Sequence, residues 1–262
     1  MQIEKIVQKG GNSGHIYLPK DTVGKKVAVI LIEKSLEDIK NEVIDILKPY
    51  LNDIKGVYIV GSYARNEQKP DSDIDILVVA NSKIKIQDKI SQYEIISASI
   101  EQIKNTLRNN AVLLLPMIKE AVPIINEDLI EKYKYYRLNK ENTKWYIETT
   151  ETSLGLAKDW MMEEDKYSLP NIVYPLITRL KGLLLVQALM NNKKPANAEL
   201  FHLIERKGIS NKIVKQLYKM YQEKRDNKEI SPNNISYKDI HLLLDLVEKT
   251  LKRVKKSLAR QK

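Results

Sequence analysis

Apolar positions recur along the chain in three rhythms, and each predicts a different kind of element. Over residues 3–33 they are short and alternating. Lys5 to Gln8 reads as a strand, Gly10-Gly11-Asn12-Ser13-Gly14 as a turn, and His15 to Leu18 as a second strand that ends at Pro19. Val27 to Ile32 is β-branched and apolar, which predicts a buried strand. From Ser35 to Ile125 helical and strand rhythms mix. Leu36, Ile39, Val43, Ile46 and Leu47 share one face of a helix over 35–50 that Ser35 caps. Strands follow at Gly56–Val60, Asp73–Val79, Tyr93–Ser99 and Val122–Ile125, with helices at 101–109 and 113–120. From Asp128 the period is helical throughout, near 128–165, 170–192, 196–207, 211–227 and 237–259, with Pro170, Pro195, Gly208 and Pro232 as punctuation. The expected fold class is α/β. A small mixed-sheet domain (35–127) is preceded by a short β-hairpin module (1–34) and followed by an α-helical bundle (128–262).

Composition narrows the chemistry. The 262 residues include no cysteine, which excludes structural disulfides, thiolate nucleophiles and cysteine-held zinc. Three scattered histidines, His15, His202 and His241, do not suggest a zinc enzyme. The N-terminus, MQIEKIVQKGG, lacks an apolar core segment, and the apolar stretch Leu176–Met190 is interrupted by Arg179 and Lys181 and is short for a bilayer. A cytoplasmic protein with no membrane partner is expected. Charge is unevenly spread. Residues 36–130 carry 11 basic and 15 acidic residues, whereas residues 131–262 carry 27 basic and 16 acidic. A basic balance is compatible with a polyanionic partner, but 36 Lys against 8 Arg argues against fork-type recognition of phosphate or bases as its main cause.

The stretch that carries chemistry is Gly61-Ser62-Tyr63-Ala64-Arg65-Asn66, followed by Pro70-Asp71-Ser72-Asp73-Ile74-Asp75-Ile76-Leu77-Val78-Val79. A strand runs into Gly-Ser and then a helix. Glycine allows backbone to approach a phosphate, and a helix N-terminus offers N–H groups to an anion. Asp73 and Asp75, two apart on the next strand, point to one face. Two carboxylates so close repel unless a cation lies between them, and hard oxygen donors beside a phosphate cradle suit Mg²⁺. The chemistry indicated is metal-assisted phosphoryl or nucleotidyl transfer.

These residues, GSYARN…PDSDIDILVV, resemble the signature of the DNA-polymerase-β-type nucleotidyltransferase superfamily, in its minimal branch. The Gly that commonly follows Arg is Asn66 here, which also tolerates a left-handed backbone. The resemblance implies transfer of a nucleoside monophosphate, AMP in the first instance, from an NTP such as ATP to a hydroxyl, with pyrophosphate released. Gly61 and Ser62 would hold the triphosphate, and Asp73 and Asp75 the metal, Mg²⁺ or Mn²⁺. Arg65 would contact phosphates or pair with the acidic strand. A third carboxylate is expected on a later strand, and the matching strand offers only Glu94.

Both flanks carry weaker resemblances. Gly11-Asn12-Ser13, Ile16-Tyr17-Leu18-Pro19-Lys20 and Gly24-Lys25-Lys26-Val27 resemble AbrB/MazE-like swapped hairpins, which implies a homodimer and DNA contact through Lys9, Lys20, Lys25 and Lys26. Residues 131–262 resemble HEPN-like or substrate-binding bundles. Arg225-Asp226 is followed by no histidine, so ribonuclease activity is not expected. Tyr133, Tyr135, Tyr136, Trp145, Tyr146 and Trp160 are candidates either for a nucleobase or acceptor pocket or for plain core packing. The acceptor implied is a protein, an RNA or a small molecule. The alternative is a DNA-binding regulator of toxin–antitoxin type with a degenerate, nucleotide-binding transferase domain.

Overall fold

The structure, a computed structural model, describes residues 3, 5, 7–11, 13–29, 34–68, 72–82, 84–162, 169–191, 193, 197–231 and 233–260. Residues 1–43 and 44–262 form two compact units.

In the first unit, β1 (Gln8–Gly10) pairs antiparallel with β2 (Ser13–His15) across a turn in which Gly11 takes a positive φ of 62°. The pairing lies in the turn region rather than along the two flanking runs. Pro19 starts a single turn of 3₁₀ helix over Lys20–Thr22. The strand expected over Val27–Ile32 is not formed in its described part. Val27 and Val29 lie in irregular backbone and are exposed, and residues 30–32 fall outside the described residues. Helix α1 (Leu36–Leu47) begins where its sequence predicts. The Ser35 hydroxyl accepts from the Asp38 amide at 3.1 Å, and the Ser35 amide donates to the Asp38 carboxylate at 3.1 Å.

The second unit is built on a five-stranded mixed sheet. Its strands are β3 (Ile54–Val60), β4 (Ile74–Ala80), β5 (Lys89–Ile90), β6 (Tyr93–Ser99) and β7 (Val122–Ile125), in the order β5-β6-β4-β3-β7. β4 runs parallel to β6; the other pairs are antiparallel. The central β3 and β4 are apolar on both faces, as a sheet covered on both sides requires. Tyr58, Val60, Leu77 and Val79 join one continuous core with α3 (Ile100–Glu120) and the helices beyond. Ser99 and Gln102 form a capping box at the start of α3, and the helix breaks at Asn110, where φ is −154°. The two helices expected over 101–109 and 113–120 are therefore one kinked element.

The helical part comprises α4 (Glu127–Lys134), α5 (Lys140–Met162), α6 (Leu169–Met190), α7 (Asn197–Glu205), α8 (Asn211–Arg225) and α9 (Tyr237–Leu258). The single helix expected over 128–165 is two. α4 ends at Lys134, and Asn139 and Asn142 cap each other reciprocally, amide to side-chain oxygen, at 2.8 and 2.9 Å, which starts α5. α6 is long and apolar enough by length and composition to cross a membrane. Its apolar residues are instead covered by protein: Ile172, Val173, Ile177, Leu180, Leu183 and Val186 are all buried, with α5, α8 and α9 packed around them.

Candidate active site

The site forms where β3 ends. Val60, the last residue of β3, pairs with Asp75 on β4. The chain then turns at Gly61 into α2 (Gly61–Ala64), a single helical turn. Gly61 has a φ of +71°, and a Cβ there would lie 2.0 Å from an Asp75 carboxylate oxygen. Only glycine permits both the backbone angle and the approach of that carboxylate to the turn. Asn66, which closes the turn, has a φ of 56°, the left-handed conformation its side chain tolerates.

The parallel register of β4 and β6 places Asp75 opposite Glu94, so the two acids share a face of the sheet, the face that carries α3. Asp73 lies one residue before β4 and is exposed. Its carboxylate accepts from the Lys89 ammonium at 3.0 and 3.1 Å. Burial, then Glu94, Asp73 and Glu120, push the Asp75 carboxyl up to about 6, against a smaller opposing effect of Arg65. The site thus holds more negative charge than its own cations offset.

The remaining predicted residues have these places. Ser62 is half-buried in the first turn of α2. Arg65 does not reach the acidic strand as an ion-pair partner. Its Nη1 donates to Glu120 at 2.7 Å and its Nε to Glu67 at 2.9 Å. The Gly61 amide, expected to serve a phosphate, donates to Glu120 Oε1 at 2.8 Å. Glu120 is the residue that reading the sequence missed. The antiparallel pair Ile59↔Val122 sets it beside Gly61, since two steps on from Ile59 face two steps back from Val122. No local motif carries that pairing; the end of a helix just before an edge strand was its only trace. Lys89 was missed for the same reason: β5 folds back on β6 and brings Lys89 opposite Glu94.

The donor set fits a divalent cation. Carboxylate oxygens of Asp73 and Asp75 are hard ligands, burial and then the neighbouring acids raise the Asp75 carboxyl, and the bare Cα of Gly61 lets that carboxylate lie against the turn. Asp73, Asp75 and Glu94 do not close into a three-ligand cluster among the described residues. The expected third metal ligand is thus an acid on the same face rather than a completed coordination set. Two carboxylates completed by substrate phosphates are an ordinary arrangement for Mg²⁺. Of the six candidate rings, Trp160 lines a groove on the helices, Tyr146 is buried, and Tyr135 and Trp145 are exposed, so they form no common pocket.

A Gly-Ser turn, a single helical turn and an acid-bearing neighbouring strand on a mixed sheet define a nucleotidyl-transfer domain. Comparison with known proteins gives the same class. Residues 36–145 match the nucleotidyltransferase domain family. A protein of Methanocaldococcus jannaschii named "Putative protein adenylyltransferase MJ0435" is 34% identical over 94 residues, which are 35% of this chain and 99% of that one. A second from the same organism, "Putative protein adenylyltransferase MJ0126", is 36% identical over 103 residues, 37% of this chain and 97% of that one. The chain belongs to the nucleotidyltransferase domain family. A solved structure of a nucleotidyltransferase-like protein from Exiguobacterium sibiricum aligns at 14% identity over 85% of this chain and 77% of its own, with a TM-score of 0.42. Residues 1–35 match a separate family described as "Putative transposon-encoded protein".

Proposed function

We propose that the chain transfers AMP from ATP to a hydroxyl of a protein acceptor and releases pyrophosphate. The observation that carries this reading is the register of β4 on β6, which sets Glu94 and Asp75 on one face beside the Gly61 turn. The names of the two curated relatives support AMP as the group moved and a protein as its acceptor. Asp73 and Asp75 would hold a divalent cation such as Mg²⁺, which supplies positive charge against the triphosphate. Gly61 and Ser62 at the first turn of α2 receive the phosphates, the Gly61 amide exchanging Glu120 for a phosphate oxygen, and Arg65 holds Glu120 beside the turn. The acceptor oxygen bonds to the α-phosphorus as the bond from that phosphorus to the bridging oxygen breaks. Pyrophosphate leaves with the electron pair, and the acceptor's proton passes to Glu94. The Lys89–Asp73 pair is solvent-exposed, and such pairs are worth about 0–1 kcal/mol, so it gives way readily to a cation.

The test is transfer of label from α-³²P-ATP to protein in cell extract, with Mg²⁺ or Mn²⁺. Wild type labels protein, Asp73→Asn/Asp75→Asn does not, and Glu94→Gln slows transfer about 100-fold or more. Label that appears only in RNA or a small molecule overturns the acceptor; no label from any NTP overturns the reading.

A second reading concerns residues 1–34. Lys20, Lys25 and Lys26 are exposed, as are Tyr17, Val23, Val27 and Val29, which leaves this unit with apolar surface to cover. We propose that two copies pair there and that the lysines, with Lys9, contact DNA. A dimer whose DNA affinity falls steeply with salt supports this, and a monomer without salt-sensitive binding overturns it.

A further inference from the structure

Away from the carboxylates, the helical part carries an open groove of about 250 Å³ along the outer side of α6, between α5 and α8. Its lining is mostly apolar, with two rings and one cation: Ser153, Leu156 and Trp160 from α5, Asn171, Tyr174 and Pro175 from α6, and Lys224 from α8, with no carboxylate among the described residues. Beyond it along α6 stand two further cations. Arg179 is half-buried. Its Nε donates to the Ser153 hydroxyl at 3.1 Å and its Nη1 to the Thr149 hydroxyl at 3.2 Å, and its guanidinium lies 5.6 Å from the centre of the Tyr146 ring. Those hydroxyls spend their own protons on helix carbonyls, Ser153 on Thr149 and Thr149 on Trp145, so they hold Arg179 with lone pairs only. The Lys181 ammonium sits 5.1 Å from the centre of Tyr221 and 5.7 Å from Tyr218, and Tyr221 is stacked at 5.6 Å on Tyr174.

A half-buried guanidinium fixed by neutral acceptors retains its full charge and is costly to desolvate unless an anion reaches it. Rings in the floor and cations along the rim are the two elements of a stacking-and-phosphate site. Arg179 and Lys181 are two residues apart, about 3 Å along the helix, and point to opposite flanks of α6, Arg179 toward α5 and Lys181 toward α8, so the cations border the groove on both sides rather than converging on one point. Cations on two flanks suit an extended polyanion better than a single phosphate. The excess of 27 basic over 16 acidic residues in 131–262 adds long-range attraction of the same sign.

We infer that this groove binds single-stranded nucleic acid, its bases against Trp160 and Tyr174 and its phosphates on Arg179, Lys181 and Lys224. This inference does not rest on the transferase reading.

The chain has two tryptophans, so Trp145→Phe leaves Trp160 as the sole reporter. Titration of this full-length variant with a labelled 12-nucleotide single strand is expected to quench Trp160 and raise the label's anisotropy with one common midpoint. With three phosphates neutralised, affinity should fall about 20-fold between 50 and 200 mM salt. Arg179→Gln and Lys224→Glu should each weaken binding about 5- to 10-fold, while Arg179→Lys retains most of it. Lys224 is exposed, so its variant reads the charge without disturbing the core. Lys252→Gln/Arg253→Gln/Lys256→Gln, on the outside of α9, should change affinity no more than about threefold. Four results overturn the inference: no binding; binding without quenching that the α9 variant abolishes; equal affinity for AMP, which makes the groove a mononucleotide site; or a dimer that Trp160→Glu dissociates, which makes it a surface between copies.

Discussion

At Asp75 a single carboxyl answers to two opposed demands. Burial against the glycine turn, and then the acid opposite, push it up to about 6 in the metal-free protein. An acid whose value is raised on folding binds its proton more tightly folded than unfolded, so it removes stability as pH climbs through that window. The contribution is complete near pH 4, falls between about 4 and 6, and is absent above. In the presence of a chelator, Asp75→Asn should match wild type in thermal stability near pH 4 and exceed it by about 1 kcal/mol at pH 7, a figure reduced for the solvent screening of a half-buried group. A variant that is less stable at pH 7 would show the carboxylate to be paired rather than strained. Gly61→Ala probes the same contact from the other side. It forces a side chain into a positive φ and onto the Asp75 carboxylate, and should cost about 2 kcal/mol in a urea titration together with nearly all ATP binding. Unchanged ATP affinity would remove Gly61 from the site.

Elements show how far the sequence could be read. The Gly61–Asn66 turn and the strand after it carry their chemistry in contiguous residues, so both were legible. So were α6, α8 and α9, whose apolar stripes run long between breakers. Glu120 and Lys89 were not, because each reaches the site through strand pairing, and register between segments far apart leaves no local mark. The α4–α5 break was hidden for a different reason. α4 ends at Lys134 and α5 starts on the Asn139–Asn142 cap, without the Gly or Pro that marks other ends. Val27–Val29, the described part of a run with the composition of a strand, lies in irregular backbone, and strand propensity expresses itself only where a pleated neighbour exists. Packing between α5 and α6 gives an element-scale test. Gly182 lies where a Cβ would meet the Tyr146 hydroxyl at 1.7 Å, and that hydroxyl donates to the Arg179 carbonyl at 3.2 Å. Gly182→Ala gains about 1 kcal/mol of helix propensity, but overpacking a core costs about 1–3 kcal/mol and displaces this buried hydroxyl. The overlap wins, so the urea midpoint should fall; a rise would mean that the helices separate at little cost.

Over the whole molecule, the transferase domain and the helices are continuous in their packing. The two curated relatives are matched over nearly their full length by about a third of this chain. Here Leu107, Leu115 and Ile118 of α3 belong to the same core as Leu154 of α5, Leu180 of α6 and Val247 of α9. Burying each such side chain is worth about 1.5–3 kcal/mol, so neither part keeps its apolar face covered without the other. Covalent linkage between them supplies proximity, which association in solution can replace. The connection between α4 and α5 is the place to test this: Tyr135 is 81% exposed, and the caps of α5 begin only at Asn139. Residues 1–136 and 137–262, produced as separate chains in one cell, should co-purify at equal stoichiometry and regain the transfer activity of the intact chain. Two soluble, non-associating fragments would mean that the shared core contributes less than its burial implies.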